Sequence, residues 1–136
     1  MVLKYLIITV GDVLDLTKSK TNIIDEITNG IIVTKINNTL YCYVKKDNEV
    51  LCEWSFGEIS SCNIKYNISD EYCDIIINDI LIYENYKMDY NTILFAAITN
   101  TINVKNIQLY SKNKVIDDFT EKVGEYDGKT FGRYIL

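Results

Sequence analysis

The sequence predicts an all-β fold: a compact antiparallel β-sandwich-like domain, with room for a division into two small pseudo-symmetric lobes. Three observations carry that prediction. Several short stretches alternate apolar with polar or aromatic residues, the period of a half-buried strand. Ile, Tyr, Val and Thr are abundant while Ala is scarce, the preference of strands rather than helices. The chain has 136 residues, 48% of them apolar, enough for one packed interior. No long helix, linker, low-complexity tract or strict repeat is evident. The lobes are read as 1–62 and 63–122, with 123–136 as a C-terminal tail.

The clearest single element is the hairpin in TLYCYVKKDNEVLCEWSFGEI, Thr39 to Ile59. Leu40, Cys42 and Val44 alternate with Tyr41, Tyr43 and Lys45. The polar run Lys45 to Glu49 breaks the pattern as a turn does. Val50, Cys52, Trp54 and Phe56 then restart it. A tip near Asp47 sets Cys42 opposite Cys52 and Trp54 opposite Leu40, so Trp54 is expected to be buried on the apolar face.

The remaining elements follow in chain order. Val2 to Val10 is apolar on both faces and reads as a central strand. Gly11-Asp12 marks a turn or bulge, Val13 to Thr17 continues or restarts a strand, and Lys18 to Asn22 is a polar loop. Ile23 to Thr28 is ambiguous. Asn29-Gly30 is the best turn dipeptide in the chain, and Ile31 to Ile36 is a β-branched strand. After a loop at Ser60 to Cys62, Ile64, Tyr66 and Ile68 alternate on another strand. Cys73 to Tyr83 is a further strand that Asn78-Asp79 can fold into a hairpin. Thr92 to Thr99 is strongly apolar. Ile102 to Tyr110 shifts phase between Val104 and Ile107, which reads as a β-bulge. Val115 to Lys122 reads as one or two helical turns. The tail is turn-like around Gly124 and Gly128 and strand-like from Phe131 to Leu136.

Composition narrows the function. The chain has no His and no Pro, so it offers no imidazole base, no Ser-His or Cys-His nucleophile pair and no imidazole metal ligand. No phosphate-binding glycine loop is present, and the pair Asp117-Asp118 reads as exposed loop. The chain is therefore read as a non-enzyme. A net charge of −5 means that any polyanion contact must come from a local patch. The patchwork is mild: acids concentrate from Asp70 to Asp89, bases from Lys105 to Arg133, the chain's one arginine. The Asn-, Ile-, Lys- and Tyr-rich composition without Pro matches an AT-rich genome.

The cysteines Cys42, Cys52, Cys62 and Cys73 lack the two-to-four-residue pairing of zinc knuckles. They read as buried reduced thiols, and no metal or other cofactor is expected. No apolar run approaches the roughly 18 residues of a membrane span, and Leu6 to Val10 is too short for a signal peptide core. The expected setting is cytoplasmic, with no membrane partner and no small-molecule substrate.

Several stretches resemble the eukaryotic CXXC-motif zinc-binding proteins, a small all-β family. KYLIITVGDVLDLTKSK is similar to their opening strand, and LYCYVKKDNEVLCEW to their aromatic strand and Trp-bearing arm. NTILFAAITNTINVKNIQL resembles their second-lobe strand, turn and strand. EKVGEYDGKTFGRYIL resembles their terminal segment through Val123, Gly124 and Tyr126. Both CxxC knuckles are missing: Lys45 to Glu49 stands at the first, and Cys62 alone remains near the second. The resemblance therefore implies a divergent microsporidian member without the family's zinc. Through the family's microsporidian dormancy factor it further implies ribosome hibernation, in which a folded β body fills the tRNA exit site and inhibits translation without catalysis.

On that expectation the partners are ribosomal RNA and the ribosomal proteins near the exit site, and the chain is a monomer off the ribosome. The candidate contact residues are Lys129, Phe131, Arg133 and Tyr134, with Tyr126 beside them: cations for phosphate and rings that stack on unpaired bases. Those residues read equally as a last strand, Phe131 and Ile135 inward and Arg133 and Tyr134 outward. Lys45, Lys46, Lys112 and Lys114 are secondary candidates that also read as plain surface. Two other classes stay open. One is a protein-binding module in translation or chaperone pathways, acting through its acidic face. The other is a degenerate galectin-like lectin, since VGDVLDL and CDIIINDILIYENYKM are similar to galectin strands but lack the His and arginines of the galectin sugar site.

Overall fold

The computed structural model describes residues 4–13, 28–89, 92–119 and 123–135, with the side chains of 93–101 and 126–135 outside that description. Ten strands form, and no helix occurs among the described residues. They are β1 (Lys4–Gly11), β2 (Gly30–Ile36), β3 (Thr39–Lys46), β4 (Glu49–Ser55), β5 (Cys62–Ser69), β6 (Tyr72–Ile77), β7 (Ile80–Lys87), β8 (Thr92–Ser111), β9 (Lys114–Asp118) and β10 (Gly124–Ile135).

Strand β8, 20 residues long, organises them. One of its edges pairs first with β2 and then with β1; the other pairs with β10 and then with β9. Two arms grow from the first edge, β2-β3-β4 and β1-β5-β6-β7. They lie over one another as two layers, and the far strands β4 and β7 meet where the Cys52 thiol donates to the Ile82 carbonyl at 3.5 Å. Every pairing is antiparallel except that of β2 with β8. The expected sandwich is therefore present, with one parallel join at its centre. Strand β1 belongs to the layer built from 63–118, so residues of the first span complete the sheet of the second.

The core between the layers takes alternate residues from each arm. Leu6, Ile8 and Val10 come from β1, Leu40, Cys42 and Val44 from β3, Ile64, Tyr66 and Ile68 from β5, and Cys73, Ile75 and Ile77 from β6. Strand β2 is buried along almost its whole length, including Ile32 and Thr34 on the face away from this core. A strand covered on both sides reads as a continuous apolar run, as Ile31 to Val33 does. The Tyr86 hydroxyl ties the layers together: it accepts from the Gly30 N–H at 3.1 Å and donates to the Lys45 carbonyl at 2.8 Å. Burial raises its pKa to about 12, against the opposing pull of the Gly30 N–H.

Four hairpins turn on residue pairs with positive φ: Asn37-Asn38, Asp47-Asn48, Asn78-Asp79 and Lys112-Asn113. Such pairs match the right-handed twist of the arms they join, and Asn and Asp enter this region more readily than most residues. The phase shift read between Val104 and Ile107 is a bulge: Thr9 faces Asn106 and Val10 faces Val104, leaving Lys105 unpaired on β8.

Several expectations are corrected. The β3-β4 hairpin turns at Asp47 as read, but a shift between Val44 and Lys45 slides the return arm. Cys42 therefore faces Trp54, and Cys52 faces Val44. Trp54 is not buried. Strand β4 is the end of its layer, and the ring, tilted against Phe56, keeps 39% of its surface in solvent. Residues 114–118 form strand β9 rather than helix, because Tyr110 and Leu109 on β8 offer an open edge to pair with. Asn29-Gly30, read as a turn, bends the chain into β2 with φ of 113° at Gly30. The strand continuation read over 14–17, the 18–22 loop and the ambiguous stretch 23–27 lie outside the described residues.

Candidate nucleic-acid interface

The predicted site residues do not come together as one patch. Lys129, Phe131, Arg133, Tyr134 and Tyr126 lie on β10, whose backbone is committed to β8 from Gly124 opposite Val104 to Ile135 opposite Thr92. The segment is thus an integral strand rather than a free tail. The register shifts between Asp127 and Lys129, around Gly128. Beyond that shift, strand period assigns positions 129, 131 and 133 to one face and 134 to the other.

Lys45 is corrected as a contact residue. It is 1% exposed, because the shift after Val44 turns it toward the interior, where its ammonium lies 3.4 Å from the Asn48 carboxamide oxygen. Lys46 is engaged as well: its Nζ is 3.1 Å from an Asp89 carboxylate oxygen and 5.7 Å from the centre of the Tyr86 ring. Lys112 lies in the exposed turn between β8 and β9 and Lys114 follows it, beside the exposed Val115 and Ile116.

A different surface has the features of a binding face. Leu6, Ile8 and Val10 turn inward, so Tyr5, Ile7 and Thr9 stand on the outer side of the central strand β1. Their neighbours on β5 and β8 complete three cross-strand rows: Asn67, Tyr5 and Tyr110; Lys65, Ile7 and Gln108; Asn63, Thr9 and Asn106. Every residue of these rows keeps part of its surface in solvent. Tyr5 and Tyr110 stack with centroids 4.6 Å apart and planes within 11°. The Lys65 ammonium lies 4.7 Å from the Tyr5 centroid. Strands β5 and β8 flank β1 on opposite sides, so Tyr5 is held between the cation and the second ring. Ring pairs contribute about 0.5–1.5 kcal/mol beyond area burial, and an exposed cation–π contact about 0.5–1 kcal/mol.

The amides on this face are ordered too. The Gln108 side-chain oxygen accepts from the Tyr110 hydroxyl at 2.8 Å and from the Asn106 amide at 3.3 Å. The result is a fixed aromatic column bordered by amide groups and one lysine. The rows continue onto β9, where Val115 stands opposite Tyr110 and Asp118 opposite Gln108, so a planar ring has to lie over the column rather than at its end. The sequence signal was present in the alternations Tyr5-Ile7-Thr9, Asn63-Lys65-Asn67 and Asn106-Gln108-Tyr110. What could not be read was that three distant strands lie side by side in this register.

The thiols carry no comparable site. Cys42, Cys62 and Cys73 are buried and Cys52 half-buried, all unbridged. Burial pushes the Cys62 and Cys73 thiols up to about 12 and Cys42 well above its usual value, the last raised further by its neighbours Cys62 and Cys52. Thiols held neutral in this way are poor nucleophiles and poor ligands. No group of three metal-ligating side chains is found among the described residues, nor any helix long and apolar enough to cross a membrane. No protein-family profile, curated protein or solved structure matches the chain.

Proposed function

We propose that the chain is a cytoplasmic, non-catalytic ribosome-binding factor that works by occlusion, as a dormancy factor at the tRNA exit site would. The resemblance to the CXXC-motif zinc-binding family supplies the ribosomal setting. The stacked Tyr5-Tyr110 pair with Lys65 against it, on an open sheet face, is the observation that supports RNA as the ligand. Aromatic rings on a sheet hold unpaired bases at about 1–3 kcal/mol per base, largely without regard to sequence. Contact has to be local, since a net charge of −5 repels RNA at a distance.

Co-sedimentation with ribosomes in low salt tests this reading. Tyr110→Ala should weaken binding about tenfold or more, the loss of one stacked base. Lys65→Glu should weaken it further, while raising salt has a moderate effect because few phosphates are neutralised. Arg133→Glu probes β10 without removing it. Truncation at Thr130 is unsuitable, because it strips β8 of a strand partner. If the wild-type protein stays in the supernatant, the ribosomal reading is wrong. If Tyr110→Ala sediments undiminished, the face is wrong.

A second reading is favoured by the amide rows. Asn63, Asn67, Asn106 and Gln108 around a tyrosine pair also suit sugar hydroxyls, as in a β-sandwich lectin, although no arginine or histidine stands among them. Glycan-array binding lost in Tyr110→Ala, without ribosome association, would select it.

A further inference from the structure

The two layers end in open strands on the same side of the molecule. Among the described residues β4 pairs with β3 alone and β7 with β6 alone, and the two meet at Cys52 and Ile82. Strand β4 exposes 51% of Val50, 36% of Leu51 and 39% of Trp54, and β7 adds exposed Ile80 and Leu81. Edges are normally blunted by lysine, proline or a bulge that twists them away; EVLCEWS contains neither lysine nor proline, and its one bulge, at Leu51, leaves Val50 and Trp54 exposed.

The charge of this edge has one sign. Glu49 and Glu53 are the charged residues of β4, both exposed, with Lys46 opposite Glu49 and the Tyr43 hydroxyl against Glu53 on β3. The lysines nearest in sequence are engaged elsewhere, Lys46 with Asp89 and Lys87 with Glu71. A second copy pairing antiparallel about Leu51 would set Glu49 against Glu53, which destabilises a cross-strand pair. An extended segment carrying lysine or arginine between apolar residues meets both features at once.

We propose that β4 is a docking edge for an extended, basic-apolar peptide of a protein partner, which adds to the β2-β3-β4 layer as a further strand. Its backbone completes the ladder along Glu49 to Ser55. Its cations face Glu53 on one side of the strand, and its apolar side chains cover Trp54 on the other. Main-chain pairing supplies affinity in this mode and the side-chain pattern supplies selectivity. The surface lies on the opposite arm from Tyr5 and Tyr110 and is independent of what that face binds.

Trp54, the chain's one tryptophan, reports occupancy directly. The full chain is titrated with a capped synthetic peptide of alternating Val and Lys, and in parallel with its Val and Glu counterpart. Trp54 emission and amide exchange at Val50 to Ser55 are followed. The Lys peptide should shift the emission to the blue, protect these amides and bind about tenfold or more tightly than the Glu peptide. Glu49→Lys combined with Glu53→Lys should reverse that order while far-ultraviolet dichroism stays unchanged. Unchanged emission with no added protection overturns the proposal, as does equal binding of both peptides. Blue-shifted emission that grows with protein concentration alone would show that a second copy takes the edge instead.

Discussion

At the scale of single residues, position within the sheet outweighs residue type. Trp54 and Lys45 show this from opposite sides. A tryptophan in an alternating strand is expected inside and a lysine outside, yet Lys45 is 1% exposed and Trp54 39%. The cause is one register shift after Val44 together with the edge position of β4. The energetic consequence is measurable. Ile8, fully buried on the central strand β1, should cost about 2–5 kcal/mol on truncation to Ala, since it leaves a cavity that rigid neighbours cannot fill. Trp54→Ala leaves no closed cavity and should cost less than about 3 kcal/mol, despite removing the larger side chain. Urea unfolding of both variants checks the order, and a Trp54 cost above that of Ile8 would contradict the edge placement. Iodide should also quench Trp54 partially in the folded protein.

At the scale of elements, the hairpins depend on their turn residues. Asn37-Asn38, Asp47-Asn48 and Asn78-Asp79 hold positive φ at both positions, so the abundance of Asn, legible as genomic bias, also has a structural use. Asn78 is further fixed, its side-chain oxygen accepting from the Asn63 N–H at 2.9 Å. Asp79, with φ of 64°, is the sharper test. Asp79→Gly should be neutral or slightly stabilising, whereas Asp79→Val should cost about 1–2 kcal/mol because a branched side chain collides in the left-handed region. Equal denaturation midpoints for the two would refute the turn assignment. The same locality explains which elements could be read from sequence. The alternations at 40–44 and 64–68, the Asn78-Asp79 turn and the bulge near Lys105 are all written within a few residues. The helical reading failed over 115–118 because an open β8 edge recruits Lys114 to Asp118; positions 120–122 of that reading lie outside the described residues. The stacked Tyr5-Tyr110 site needed pairings more than a hundred residues apart in the chain, which no local pattern encodes.

At the scale of the whole molecule, the two arms are joined by β8 and closed by buried groups that must stay neutral. Tyr86 bridges the layers with its hydroxyl proton on the Lys45 carbonyl, and Cys42, Cys62 and Cys73 fill the core as thiols. Cys62 and Cys73 are raised from 9.0 to about 12, Tyr86 from 10.0 to about 12, and Cys42 in the same direction, in each case chiefly by burial. Unfolding exposes these groups and restores their ordinary values. Below about pH 9 both states hold the protons, and these groups add no pH dependence. Above it the unfolded chain releases protons that the folded protein retains, so each further rise in pH favours unfolding. Stability should therefore fall from about pH 9 upward, most steeply once Tyr86 joins the thiols above about pH 10. Denaturant midpoints measured between about pH 8 and about pH 11 test this, because the loss should be shallower when Cys62→Ala and Cys73→Ala remove two of the groups. A midpoint that holds level or rises across that range would show that the thiols and Tyr86 do not sit in the closed interior between the two arms.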